Sequence, residues 1–163
     1  GAMPHHTHDD RPIESGEPVV LDFGARVDGY PADQTRTVVF DGEPSERFQT
    51  VHEVVRRAQE AAIETVAPGM TAGDVDAAAR EVIETAGYGD RFIHRTGHGV
   101  GLDIHEEPTI VGGSDRVLEP RMVFSVEPGV YIPDEFGVRI EDLVVVTEDG
   151  CDRLNTTSRE WRV

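Results

Sequence analysis

The stretch HRTGHGVGLDIHEEP, residues 94–108, constrains this chain more than any other. It places histidines at 94, 98 and 105 and glycines at 97, 99 and 101. Imidazole binds metals and carries protons near neutral pH. Glycine lets a backbone approach another backbone, or a ligand, with no Cβ in the way. Such a stretch is either a close-packed polar site or a glycine-rich turn with surface histidines. The rest of the chain favours the site, because it supplies four well-placed carboxylates.

Two of these lie in a hairpin. Residues 19–23 read as a short apolar strand carrying Asp22. Asp28-Gly29 is a hairpin turn signal. The β-branched run TRTVVF, residues 35–40, is the return strand. With Asp28 and Gly29 as the central pair, Asp22 lies opposite Thr35. Asp33 is two residues from Thr35 and points to the same face. The two carboxylates are then diagonal neighbours. The plain alternative is a pair of solvated aspartates, but Val20, Tyr30 and the TRTVVF run predict a largely buried hairpin.

Two helices follow. Residues 45–66 carry Phe48, Val51, Val55, Ala58, Ala62 and Val66 on one stripe, with Ser45 as cap and Pro68-Gly69 as terminator. His52 is expected on the solvated side of this helix. Thr71 begins the second helix with Asp74 in the capping-box position. Val75, Ala78, Ala79, Val82, Ile83 and Ala86 form its core face, and Gly87 follows its end. Both helices are read as packing elements rather than sites.

The other two carboxylates come late. Residues 108–120 are expected to be a loop, 122–126 a strand ending at Glu127, 131–137 a turn, and 138–147 one long strand carrying Glu141. Pairing of these strands brings Glu127 close to Glu141. The tail is polar, with Trp161 docking back. Residues 4–16 are polar and turn-rich, a loop.

Composition bounds the rest. A chain of 163 residues fits one domain and buries about two thirds of its unfolded surface. Gly1-Ala2-Met3 reads as a tag remnant ahead of a single domain over 4–163. The formal charge is -17, and all 15 basic residues are arginine. Such a surface repels nucleic acid and anionic membrane, so neither is an expected partner. The lone cysteine, Cys151, excludes an internal disulfide. With no apolar run long enough to span a bilayer and no signal peptide, a cytoplasmic location is expected.

If Asp22, Asp33, Glu127 and Glu141 converge with His98, electrostatics demands cations. Two unit charges about 5 Å apart at an effective dielectric near 20 repel by roughly 3 kcal/mol. Four such groups would remove much of a domain's stability of about 5–15 kcal/mol. Four carboxylates and one imidazole form a mainly hard set, suited to Mn²⁺, Fe²⁺, Co²⁺ or Zn²⁺. Two such ions activate a water for attack on a carbonyl.

The segments LDFGARVDGYPADQTRT, HRTGHGVGLDIHEEP, FSVEPGVY and GVRIEDLVVVT resemble, in order, the catalytic domain of the pita-bread metallopeptidases. These are methionine aminopeptidase, aminopeptidase P and prolidase. The resemblance implies an α+β pita-bread (creatinase/aminopeptidase) fold, with an antiparallel curved sheet and helices on one face. It implies that Asp22, Asp33, His98, Glu127 and Glu141 hold two divalent ions, foremost Mn²⁺. Asp33 and Glu141 would bridge, Asp22 would complete one ion, and His98 with Glu127 the other.

His94 and Arg139 are more similar to the Xaa-Pro branch. That branch implies cleavage of the bond before proline, in a peptide with proline second or in a dipeptide. Glu127 would shuttle the proton, and His105 and His94 would hold the carbonyl and stabilise the tetrahedral intermediate. Arg139 would orient Glu141 or the peptide terminus, or merely pair with Asp142. His5 falls where the family places a substrate-pocket histidine. Methionine aminopeptidase, a non-catalytic module of the same fold and an inactive fragment are the alternatives. The family's N-terminal helices and strands have no counterpart before residue 5, so the expectation is a truncated, partial domain that self-associates or forms a homodimer.

Overall fold

The computed structural model describes residues 2–4 and 10–162, so His5 lies outside the described residues. The first ladder is the expected hairpin. β1 (Glu17–Phe23) pairs antiparallel with β4 (Gln34–Phe40), and Asp22 stands opposite Thr35. Its tip is a smaller ladder of β2 (Arg26–Val27) and β3 (Tyr30–Pro31). Between them Asp28 and Gly29 both take positive φ, 52° and 90°, as a tight two-residue hairpin turn requires.

Burial of this hairpin is one-sided, contrary to the sequence expectation. Thr35, Arg36 and Thr37 are buried, while Leu21, Phe23 and Tyr30 are largely exposed. The reason is position: β1 pairs with β4 alone and is an edge strand, and the tip projects beyond the core.

Helix α1 (Glu46–Thr65) begins where Ser45 Oγ accepts the Phe48 N–H. Helix α2 (Ala72–Thr85) has a complete capping box, Thr71 Oγ1 accepting from Asp74 N and Asp74 Oδ2 from Thr71 N. Each satisfies N-terminal amides that the helix leaves unpaired. The helices pack on each other and on the strands, and the apolar stripes read from the sequence form the core. His52 departs from the expectation of a solvated residue. It is buried beside the Phe48 ring, 5.7 Å between centroids, because Phe48 precedes it by one turn and draws that side of α1 inward.

The main sheet is antiparallel and five-stranded, ordered β11-β10-β7-β5-β6. Its members are β5 (Gly97–Gly99), β6 (Glu106–Ile110), β7 (Val123–Val126), β10 (Asp142–Val146) and β11 (Cys151–Arg153). β8 (Gly129–Ile132) and β9 (Phe136–Arg139) form a hairpin between β7 and β10. Three sequence expectations are corrected here. Residues 108–120 are not all loop, since β6 pairs with β5 across a bulge. The turn over 131–137 is shorter, with Ile132 and Phe136 already paired. The strand over 138–147 is two strands, broken at Ile140 and Glu141.

The break has a cause. Glu141 leaves the ladder to donate its N–H to the Thr35 carbonyl at 3.0 Å, joining the β1–β4 hairpin to the main sheet. Trp161 docks as expected: its carbonyl accepts from Val39 N, and its ring lies edge-on to Phe48. Among the described residues no helix is long and apolar enough to cross a membrane.

Candidate metal centre

The strand ends converge on one cavity of about 210 Å³. Asp22 lies near the end of β1, Asp33 just before β4, His98 in β5, Glu127 just after β7, and Glu141 between β9 and β10. All five line this cavity, together with His94, His105 and Arg139. Donor atoms of Asp33, His98 and Glu141 lie within 4.8 Å of one another. His98 Nε2 is 3.4 Å from Glu127 Oε1 and 3.9 Å from Asp33 Oδ2. Asp22 stands apart, with Oδ2 2.5 Å from Arg139 Nη2.

The glycines make this approach possible. A Cβ on Gly97 would lie 1.8 Å from the Ser125 carbonyl oxygen, and one on Gly99 2.2 Å from that of Glu107. Only glycine lets β5 run so close to its neighbours and carry His98 inward. Ser125 then couples two groups of the site. Its hydroxyl accepts from His98 N at 3.0 Å and donates to Glu127 Oε1 at 3.1 Å.

Glu141 is held by Thr35, whose hydroxyl donates to Oε2 at 2.6 Å. The same hydroxyl accepts from Arg139 Nε at 3.3 Å. Arg139 therefore reaches Glu141 through Thr35. Its other donors go to Asp22, the Tyr131 hydroxyl and the Pro4 carbonyl. The expected alternative of an Arg139–Asp142 ion pair is not formed. Arg36 occupies Asp142 instead, at 2.6 Å, because Asp142 points from the opposite face of the chain to Glu141.

His94 is bonded on both nitrogens. Nδ1 lies 2.7 Å from the Arg95 carbonyl, which only accepts, so Nδ1 carries the proton. Nε2 then accepts from the Tyr131 hydroxyl at 3.0 Å. A neutral His94 has no second N–H to offer a substrate. The His105 ring sits 4.3 Å from that of His98, centroid to centroid, on the cavity side.

Electrostatics shows a strained acid cluster. Burial, then repulsion from Glu127 and Asp33, raises the Glu141 carboxyl to about 9. Burial raises Glu127 to about 7. Asp33 is raised by burial and by Asp22, and burial lowers His98. Buried carboxyls this close keep their protons unless cations screen them. Oxygen donors with one imidazole fit a hard or borderline divalent ion: the raised carboxyls give up protons to bind it, whereas burial already favours the neutral His98 ring that a metal needs.

Several supporting residues were not singled out from the sequence. Thr35, Ser125 and Tyr131 are ordinary strand residues there, and their roles depend on neighbours distant in the chain. Asp76, fully buried on α2, accepts from Arg80 Nε at 2.6 Å and Thr96 Oγ1 at 2.7 Å. Arg80 in turn donates to the carbonyls of Phe92 and His94. The Thr96 carbonyl accepts from Glu127 N at 2.8 Å, so α2 fixes the backbone beneath the site. The spacing of Asp76 and Arg80, one helical turn, was the one legible signal.

Known proteins are similar to this chain in sequence and in fold. The chain is 50% identical over 159 residues to the Xaa-Pro dipeptidase of Pyrococcus furiosus, covering 98% of this chain and 45% of that protein. It superimposes on the crystal structure of a recombinant prolidase from Thermococcus sibiricus with a TM-score of 0.97 at 49% identity, over 99% of this chain and 44% of that one. An X-Pro aminopeptidase from Thermotoga maritima gives 0.95 at 44% identity, over 99% and 46%. The chain thus spans less than half the length of these relatives. The model of the metallopeptidase family M24 matches residues 1–148. With that match and these neighbours, and with the pita-bread α+β architecture described above, the chain belongs to metallopeptidase family M24.

Proposed function

We propose that this chain carries the metal centre of a two-metal peptidase that hydrolyses the bond preceding proline. The observation that carries the reading is the convergence of Asp33, His98 and Glu141 donor atoms within 4.8 Å, on a cavity also lined by Asp22 and Glu127. Asp22, Asp33, His98, Glu127 and Glu141 would hold the two ions. Mn²⁺ is the foremost candidate, and Co²⁺, Zn²⁺ and Fe²⁺ suit the same donors. Bound there, the ions supply a Lewis acid and acidify water toward neutral pH.

The protein's own groups do the remainder. Thr35 and Ser125 aim Glu141 and Glu127 by hydrogen bonds to one oxygen of each. Glu127 accepts a proton from the attacking water and returns one to the leaving amine. His105 contacts the scissile carbonyl and stabilises its developing negative charge. His94 contributes to that charge only when doubly protonated; otherwise it orients Tyr131. Arg139 holds Asp22 and, through Thr35, Glu141. The proline-containing substrate is inferred from the names of the Pyrococcus furiosus and Thermotoga maritima relatives.

The test is hydrolysis by the Mn²⁺-loaded protein of Xaa-Pro dipeptides, Xaa-Pro-Xaa peptides and Met-Ala-Xaa peptides. Chelator-sensitive cleavage before proline is expected. Cleavage after methionine in the absence of proline would replace this reading with a methionine aminopeptidase, and metal binding without any cleavage would replace it with a non-catalytic module.

A further inference from the structure

Thr35 and Glu141 form an isolated antiparallel bridge between β4 and the segment that enters β10. Bonded pairs in an antiparallel ladder recur every second residue, so the next rung would join Asp33 directly to Leu143. The tail takes the place of that rung. The Leu143 carbonyl accepts from Leu154 N at 2.8 Å, and the Leu143 N–H donates to Asn155 Oδ1 at 2.6 Å. Asn155 Nδ2 then donates to the Asp33 carbonyl at 3.1 Å.

A backbone N–H only donates and a carbonyl only accepts, so these two partners fix the orientation of the amide. A side chain at this place must do both, and asparagine is the shortest that can. Two hydrogen bonds in series through an amide replace one N–H···O bond of about 2.9 Å. The Asp33 backbone is thereby held off β10, and β4 begins only at Gln34. Asp33 and Glu141 stand on the two sides of this gap, and their carboxylates belong to the donors that lie within 4.8 Å of one another. Like charges repel, so the spacing of the two acids comes from the chain that carries them. Thr35 holds Glu141 from one side. Asn155 holds Asp33 against the same strand from the other.

Resting on the two-metal reading above, we infer that Asn155 is a positioning residue of the metal centre: its amide sets the separation of Asp33 from Glu141, and through it the affinity for the ions. It acts through the two acids and takes no part in the bond-breaking step. The competing role is plain anchoring of the tail. Thr157 shares that role, its hydroxyl donating to Gln34 Oε1 at 2.7 Å, one residue past Asp33. Thr157→Val therefore loosens the tail and leaves the amide between Asp33 and Leu143 in place.

The experiment titrates Mn²⁺ calorimetrically into metal-free wild type, Asn155→Leu, Asn155→Ser and Thr157→Val. Asn155→Leu should weaken Mn²⁺ binding about 10–100-fold, the range for an outer support of a metal site. Asn155→Ser, too short to reach both partners, should lose affinity to a similar extent, and it decides the matter if the leucine variant does not fold. Thr157→Val should bind Mn²⁺ as the wild type does. On an Xaa-Pro dipeptide at saturating Mn²⁺, Asn155→Ser should lower kcat about 10-fold and leave KM unchanged, since the acids and not the substrate contacts are displaced. Wild-type Mn²⁺ affinity in the Asn155 variants, or an equal loss in Thr157→Val, would overturn the inference, as would a wild type that binds no Mn²⁺. If the wild type binds Mn²⁺ but cleaves no Xaa-Pro peptide, the peptidase reading fails, and the calorimetry still decides Asn155.

Discussion

Arg36 Nη2 lies 2.6 Å from Asp142 Oδ1, and the pair is sealed from solvent, with 6% and 0% of the two side chains exposed. The other guanidinium donors go to the carbonyls of Thr35, Glu141, Thr157 and Ser158. One cation thus ties together the hairpin strand, the backbone of Glu141 and the tail. Asp142 is the next residue after Glu141 and points the other way, so holding Asp142 fixes the direction of Glu141.

Arg36→Met should therefore be costly, because it leaves Asp142 charged and buried without its main partner. The expected destabilisation is about 3–5 kcal/mol by urea unfolding. Mn²⁺ affinity should fall at least about tenfold in the folded protein, as is usual when an outer support of a metal site is lost. A loss below about 1 kcal/mol with unchanged Mn²⁺ binding would show that Arg36 supports neither the fold nor the site.

The metal-free protein should lose stability as pH rises from 7 to 9. Burial holds the Glu141 carboxyl near 9, whereas an unfolded chain releases that proton near its ordinary value of 4.5. In this window the folded state binds more protons than the unfolded state, so stability falls with pH until the folded group has titrated. One such proton is worth on the order of 1 kcal/mol per pH unit. Saturating Mn²⁺ should raise the melting temperature, flatten this slope and release protons on binding. Superimposable melts with and without chelator, with no heat of binding, would mean that no such site forms.

His52 should titrate in the opposite sense. Burial lowers it to about 4, and among the described residues its Nε2 has no hydrogen-bond partner. The unfolded chain takes up a proton near 6.5, so wild-type stability is lost as pH falls below that value. His52→Leu removes this dependence. Its stability relative to wild type should improve by on the order of 1 kcal/mol for each pH unit between about 6.5 and 4. Parallel unfolding curves at pH 7 and pH 5 for the two proteins would place His52 in water.

His98→Ala and His105→Ala should separate the two rings that lie 4.3 Å apart. Loss of His98 should lower both Mn²⁺ affinity and turnover, because its Nε2 faces the carboxylates. Loss of His105 should leave metal binding intact and lower kcat by about 10²–10³, the range for one oxyanion donor. Equal metal loss in both variants would mean the ligands are wrongly assigned. Near-wild-type turnover of His105→Ala on an Xaa-Pro dipeptide would remove it from the mechanism.

Local chemistry made much of the fold legible in the sequence. The caps Ser45 and Thr71, the apolar stripes of both helices and the Asp28-Gly29 turn act within a few residues, so spacing alone located them. The Asp22–Thr35 register followed because a two-residue turn fixes every pair behind it. The four acids and His98 were legible as candidates because carboxylates beside strands and a histidine among glycines are conspicuous types in conspicuous places.

What only the tertiary structure decided involves partners far apart in sequence. The break at Glu141 arises because a backbone bond to Thr35, 106 residues away, outcompetes continuation of the strand. His52 is buried because its neighbours in space, not its helical position, set its solvation. Asp142 belongs to Arg36 rather than Arg139 because adjacent residues on an extended chain point to opposite faces, a sign that only the packed sheets assign.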